Sequence, residues 1–297
     1  MRGRAITARV LAYLALLLTF SLNLAGCAWF REHVQTELPL DERPRLAFLP
    51  FGVEAPIKTL ASVKSMEKEL QPDEEARVLA ATLQEIRNEA RWLLQSGLAA
   101  GQQFKMVSLE ETDAAVADLG IKAGEIPTPA QLCALKARLK ADLVLEGNIL
   151  DYGKVRWQWL LGGMLTDISA ETLVLGLATG GNVPIMLGNA GFELLTSTPI
   201  WFGGGYLFGI AVRPVGVEAR ALETVHGEPV WQDEEATIWG RGRLKQVSET
   251  ERAKKEIQLY VNLSKAMEEI ADSLNEQNFR VSGLRERQSS TKETGCQ

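Results

Sequence analysis

The first 26 residues have the pattern of an export signal that is cleaved off. We therefore expect them to be absent from the folded protein. Arg2, Arg4 and Arg9 give a positive start, and residues 10–24 form an uncharged, mainly apolar run. This run is shorter than the roughly 20 residues that a membrane-spanning helix needs, and it lies where signal peptides carry their apolar region. We therefore expect the fold to be built from residue 27 onward, after export.

The end of this run, Leu24-Ala25-Gly26-Cys27, resembles the lipobox of bacterial lipoproteins. The resemblance implies cleavage between Gly26 and Cys27 and attachment of acyl chains, such as palmitate, at Cys27. Several chains anchor a protein stably where one does not. Because Ala28 rather than Asp follows, the resemblance also implies a lipid-anchored protein on the periplasmic face of the outer membrane. An ordinary signal peptide with an incidental cysteine is the alternative.

The mature chain is acidic. Loss of Arg2, Arg4 and Arg9 with the signal takes the formal net charge from -6 to -9, which gives no basic face for nucleic acid. Residues 27–44 are polar with two prolines and predict a tether. Cys133 and Cys296 could pair in an oxidising compartment, although three cysteines imply no disulfide framework.

The remaining sequence predicts alternating strands and helices. Apolar runs predict strands at 45–51, 104–109, 141–152, 215–224 and 229–239, the last two joined by a turn at His226-Gly227. Helical spacing predicts helices at 72–97 or 72–101, at 112–119, from Pro129 with Thr128 as N-cap, and at 248–275. The order β-α-β-α-β-β-β-α predicts an α/β fold, a mixed sheet with helices packed on it. We expect this domain to span 45–280, before a polar, frayed tail at 281–297.

Three strand segments in this order resemble the periplasmic fold shared by CsgG, the N-terminal domain of TolB, and LpoB. They are residues 46–51 (Leu-Ala-Phe-Leu-Pro-Phe), 141–149 and 221–231. The resemblance implies a protein built for interaction rather than catalysis, with outer-membrane attachment, homo-oligomeric rings or contacts with other envelope proteins. Gly147 and Trp231 within these segments also have simpler explanations, as relief of crowding in the sheet and as core filling.

An apolar, glycine-rich insertion at 157–212 interrupts the predicted domain. Residues 172–192 and 194–212 contain no charged residue, and each run approaches the length of a membrane span. Aromatic residues near its ends could lie at a bilayer interface, and Gly205 and Gly209 have the spacing that lets helices approach. The predicted contact residues are Trp157, Trp159, Trp201, Phe202, Gly205, Tyr206, Phe208 and Gly209.

Three interpretations of this insertion stay open. It could enter the membrane as a hairpin of helices or strands, form a buried interface between subunits, or fold over the core as a long loop. The CsgG pore places a membrane hairpin after the equivalent strand. The apolar/polar alternation of barrel strands is weak here, however, and residues 240–249 are too short and charged for a second hairpin.

The sequence contains no pattern typical of a catalytic or metal site. His33 and His226 lie far apart without neighbouring ligands, and no glycine cluster is followed by the Lys-Ser/Thr of a phosphate loop. We expect no enzyme activity and no small-molecule substrate. The leading hypothesis is an accessory or assembly subunit of an envelope complex. The alternatives are a ring-forming export channel subunit and an LpoB-like activator of a cell-wall synthase.

Overall fold

The computed structural model describes residues 38–66, 68–153, 172–192, 205–207, 210–239, 244 and 247–290. Its strands are β1 Arg45–Phe48, β2 Gly52–Val53, β3 Lys105–Met106, β4 Leu143–Tyr152, β5 Gly205–Leu207, β6 Ile210–Glu223 and β7 Pro229–Trp239. Its helices are α1 Pro72–Gly101, α2 Leu109–Asp118, α3 Pro129–Leu139, α4 172–178, α5 183–192, α6 Glu249–Arg252, α7 Lys255–Asn275 and α8 Val281–Ser290.

The strands form one mixed sheet. β1 runs parallel to β3 and β4, β2 is parallel to β4, and β6 pairs antiparallel with β4, β5 and β7. Because Val212 of β6 pairs with Gly205 and Trp239, while Val215 pairs with Tyr152 and Thr237, β4 and β5 lie end to end beside β6. The predicted α/β class with a mixed sheet and packed helices is confirmed.

Helices cover both faces of the sheet. The larger core joins α1 and α7 to one face through residues such as Leu94, Leu263 and Phe48. The smaller core joins α2 and α3 to the other face through Val116, Leu135 and similar side chains. The alternation of apolar and polar residues in 141–152 predicts a half-buried strand, which is wrong, because all ten residues of β4 are buried. Layers on both faces remove the solvent-exposed side that the sequence pattern suggested.

Helix α1 continues through Gly97, a glycine that predicts a helix end, and stops at Gly101. A Cβ atom at Gly97 would lie 2.8 Å from the Cβ atom of Ala271 on α7. One at Gly101 would lie 2.4 Å from the Asn275 amide nitrogen. The two glycines therefore let α1 and α7 pack closely, a tertiary role that outweighs their poor helix propensity.

Helix α3 begins where the sequence predicts, at Pro129. Thr128 accepts a hydrogen bond from the Gln131 backbone nitrogen, and the Gln131 side chain accepts one from the Thr128 nitrogen. This capping box satisfies two of the free donors at the helix start. Cys133 on the same helix is disulfide-bonded, to a partner outside the described residues.

Both ends of the domain differ from expectation. Residues 281–290 form α8, with Leu284 buried, so a tail frayed from residue 281 was wrong. The Val281 nitrogen donates to the Glu42 carbonyl at 3.0 Å, and the Ser282 hydroxyl donates to the Glu42 carboxylate at 2.9 Å. Leu38 is also buried, so residues 38–44 belong to the folded body rather than to the tether. Contacts between these distant segments order two stretches whose local sequence is polar.

The final predicted helix is divided into α6 and α7 by Ala253 and Lys254. The turn between β6 and β7 contains His226 as expected. The Glu223 carboxylate there accepts hydrogen bonds from the backbone nitrogens of Val225 and His226, at 2.7 and 2.8 Å. His226 is thus held as a turn residue beside its own strand end.

Candidate functional site

Most residues predicted to contact a membrane or another copy fall outside the described part of the chain. The predicted residues outside it are Gly26, Cys27, Trp157, Trp159, Trp201, Phe202, Phe208 and Gly209. Gly205 and Tyr206 lie on β5, opposite Val212 and Ala211 of β6. Gly205 lies in strand β5 and not in a helix, so the helix-packing interpretation of its spacing from Gly209 does not apply to it.

The described centre of the insertion is a pair of short helices, α4 and α5, joined by residues 179–182. We call residues 172–192 the helical pair. The two helices contact each other at Gly176, where a Cβ atom would lie 2.9 Å from the Met186 sulfur. No helix within the described residues is long and apolar enough to cross a membrane.

The outward surface of the helical pair is apolar. Leu177 is 77% exposed and Leu187 is 69% exposed. In folded domains, exposure this high is more common for charged side chains. The large apolar side chains exposed on the pair are Leu173, Val174, Leu177, Val183, Ile185, Leu187 and Phe192. A surface helix normally turns its apolar stripe inward and its charges outward. The helical pair has no charge to turn outward.

The turn between the two helices satisfies much of its own hydrogen bonding. The Gly181 nitrogen donates to the Gly176 carbonyl at 2.8 Å, and the Gly180 nitrogen donates to the Leu177 carbonyl at 3.4 Å. The Thr179 hydroxyl donates to the Leu175 carbonyl at 2.8 Å. Gly180 and Gly181 have φ values of +68° and +82°, which glycine adopts without strain. The polar groups of this turn therefore depend little on water.

A second feature, which the sequence pattern did not predict, is a buried ionic cluster on β4 and β6. Glu146 and Arg220 are directly opposite in the strand pairing, and the Arg220 Nη1 atom lies 3.2 Å from the Glu146 Oε1 atom. The Arg220 Nη2 atom lies 2.9 Å from the Glu218 Oε2 atom. The Glu146 side chain is only 1% exposed. A charged residue within the apolar run 143–150 was the signal that could have revealed this cluster.

The environment of Glu146 raises the pKa of its carboxyl on balance. Burial raises the pKa of the Glu146 carboxyl above its ordinary value, Arg220 lowers it, and the negative charges of Glu218 and Glu54 raise it further. The Glu146 Oε2 atom has no hydrogen-bond partner among the described residues. The cluster therefore joins two strands through one arginine, and its integrity depends on that arginine remaining in place.

Within the described residues, no group of three or more His, Cys, Asp or Glu side chains is arranged to hold a metal ion. The Asp233-Glu234-Glu235 run lies within β7, which pairs with β6 alone in the part of the sheet that the structure describes. Glu234 is exposed, and Asp233 and Glu235 are half-buried. Charges on such an edge strand discourage pairing with another sheet.

No protein-family model matches this chain. No curated protein matches it either. Similar solved structures include bacterial lipoproteins. The lipoprotein GNA1162 from Neisseria meningitidis is 10% identical, with 65% of this chain and 81% of that chain covered and a TM-score of 0.28. The C-terminal domain of LpoB from Salmonella enterica is 10% identical, with 67% and 86% covered and a TM-score of 0.27.

A third similar structure is the hypothetical protein CT253 from Chlamydia trachomatis. It is 12% identical, with 78% of this chain and 96% of that chain covered and a TM-score of 0.36. We transfer no activity, partner or assembly from these three structures, because their identities and TM-scores are low.

Proposed function

We propose that this protein is a non-catalytic lipoprotein, anchored by Cys27 to the periplasmic face of the outer membrane, that serves as an accessory subunit of an envelope complex. The observation that carries the proposal is the combination, in one chain, of the Leu24–Cys27 lipobox and a helical pair with an apolar outward surface. The first provides an anchor, and the second provides a surface that water does not favour. Such a surface is typical of contact with a membrane, with other envelope proteins or with further copies of the chain.

Replacing Cys27 with Ala is expected to abolish lipid attachment and remove the protein from the outer-membrane fraction, because the acyl chains supply the anchoring energy. Metabolic labelling with radioactive palmitate and density separation of the two membranes measure both effects. The uncleaved signal would leave this variant in the inner membrane.

The matched control is Ala28→Asp, which leaves the lipidated cysteine intact. By the lipoprotein resemblance, this variant should incorporate palmitate as the unsubstituted protein does but move to the inner membrane. Full recovery of the Cys27→Ala variant in outer membranes would contradict the proposed anchor. Unchanged sorting of Ala28→Asp would contradict the proposed destination.

A ring-forming export channel is the second candidate function, since the exposed apolar side chains of the helical pair could pack between copies. A channel must enclose a passage with several subunits. The detergent-extracted lipoprotein is therefore expected, on this alternative, to sediment as a particle many times the 32.6 kDa chain mass. Analytical ultracentrifugation measures this mass. A monomer at all protein concentrations would eliminate the channel and leave the accessory role.

A further inference from the structure

The outward surfaces of α4 and α5 point in different directions. Gly176 of α4 is buried against Met186 of α5, so each helix turns its opposite side away from the other. Val174 and Leu177 lie away from Gly176 around α4, and Ile185 and Phe192 lie away from Met186 around α5, each at least 43% exposed. One flat partner surface would cover one side of the pair. A surrounding apolar solvent would cover both.

The turn of the helical pair and its lack of charge suit such a solvent, whereas the Thr172 hydroxyl and the Asn189 amide nitrogen have no hydrogen-bond partner among the described residues. Residues 172–192 contain no charged side chain, so no ionised group would have to leave water. The turn at 179–182 closes its own hydrogen bonds through Gly176, Leu177 and Leu175. Asn182 accepts a hydrogen bond from the Ile185 nitrogen at 3.4 Å, which supplies an acceptor at the start of α5. In hydrocarbon, backbone groups must be satisfied within the protein.

The length of the helices limits how deeply they could enter. Helix α5 spans 183–192, and at about 1.5 Å per residue it is roughly 15 Å long. The hydrocarbon core of a bilayer is about 30 Å thick. The helical pair could therefore reach through one leaflet and not through two.

We propose that the helical pair inserts into the membrane leaflet in which the lipid anchor lies. This inference rests on the proposed function, because the anchor at Cys27 brings the insertion to the bilayer. Membrane attachment then has two contacts, the acyl chains, which anchor the protein by themselves, and the helical pair. The occupant of the apolar surface is lipid.

The test uses the full-length lipidated protein in phosphatidylethanolamine and phosphatidylglycerol vesicles. A polarity-sensitive fluorophore is attached to Leu187→Cys or Leu173→Cys in a background with both Cys133→Ser and Cys296→Ser, so that removal of a disulfide partner leaves no second reactive thiol. Met66→Cys, on a half-exposed apolar residue of the folded body, is the control. We expect blue-shifted emission and loss of most of the intensity to brominated lipid chains at positions 187 and 173. We expect neither at position 66.

Each outcome bears on a different statement. If the protein does not float with the vesicles, the anchor and hence the proposed function are wrong. If it floats but all three labels keep the emission of an aqueous environment, the inserted helical pair is wrong. Blue-shifted emission that survives brominated lipid but disappears on dilution of the protein in lipid would assign the surface to a second copy, and would also overturn the proposal.

A charge variant gives an independent check. Leu177→Glu with Leu187→Glu places two carboxylates on the outward surface of the pair, where each is costly in hydrocarbon. The label at position 173 is expected to return to aqueous emission while vesicle flotation persists. Ile126→Glu, at an exposed apolar residue of the body, is the matched variant and should leave the label unchanged. Persistent lipid quenching in the double-Glu protein would contradict the insertion.

Discussion

Substituting Met for Arg220 is expected to lower the free energy of unfolding by about 3 kcal/mol, because it leaves the buried Glu146 carboxylate without its cation. The Glu146 side chain is 1% exposed and cannot turn to water without opening the sheet. Met keeps much of the length and apolar volume of the arginine stem, so the loss reports on charge more than on packing. Urea unfolding of the lipidated protein in detergent, followed by circular dichroism, measures the change.

The same variant should also change how stability depends on pH. Burial raises the pKa of Glu146 in the folded state, so the folded protein binds more protons there than the unfolded chain. This contribution to stability is present at acidic pH, below the unfolded pKa, and is lost as pH rises through the folded pKa. Because Arg220 lowers that pKa, its removal should raise it further and make the loss larger at neutral pH than at acidic pH.

Two further variants separate this effect from general damage. Glu146→Gln in the Arg220→Met background removes the buried charge and should restore much of the stability and flatten its pH dependence. Arg138→Met breaks the exposed ion pair with Asp118, whose side chains are 45% and 62% exposed, and should cost less than about 1 kcal/mol. An equal loss in Arg138→Met and Arg220→Met would show that burial of Glu146 is not the cause.

Gly147→Ala is expected to destabilise the domain by about 2 kcal/mol through overpacking. A Cβ atom there would lie 2.3 Å from the Phe51 Cε1 atom and 3.0 Å from the Glu218 carbonyl oxygen. Phe51 is fully buried, so its ring cannot swing out to solvent to make room for the methyl group. Differential scanning calorimetry of thermal unfolding measures this loss of stability.

The control for this prediction is Gly283→Ala on α8, where no atom lies within 4 Å of the added carbon. That variant should be neutral or slightly stabilising, because alanine favours helix. Adding Phe51→Leu to Gly147→Ala should recover part of the loss, so that the two changes are not additive. Additive losses, or a Gly147→Ala protein as stable as the original, would mean that the sheet accommodates the methyl group elsewhere.

The elements that local chemistry determines could be predicted closely. Thr128 and Pro129 mark the start of α3, and the acidic first turn after Pro72 marks the start of α1. The predictions were wrong where contacts between residues distant in sequence determine the structure. Gly97 resembles a helix end, but it continues α1 because Ala271 packs against it. Residues 281–290 resemble a frayed tail, but Leu284 enters the core and Glu42 holds the helix start.

The candidate site was predicted in part. The absence of charge from residues 172–192 was visible in the sequence, whereas the division into α4 and α5 was not, because Gly180 and Gly181 fit a strand turn as well as a helix end. The aromatic residues predicted contact sites at the ends of the insertion rather than at Leu177 or Leu187. Glu146 was passed over, since its role depends on Arg220, which is 74 residues away and comes opposite only through the pairing of β4 with β6.

Because β4 and β5 lie end to end, the insertion between them could be replaced without changing the sheet. Tyr152 and Gly205 pair with β6 residues three positions apart, so the chain leaves and re-enters the sheet at points roughly 10 Å apart. The register of β4 with β6 is set by residues 143–152, before the insertion begins. Evolution could therefore lengthen, shorten or replace residues 153–204 without shifting a strand. One folded body could in this way carry insertions of different length and composition.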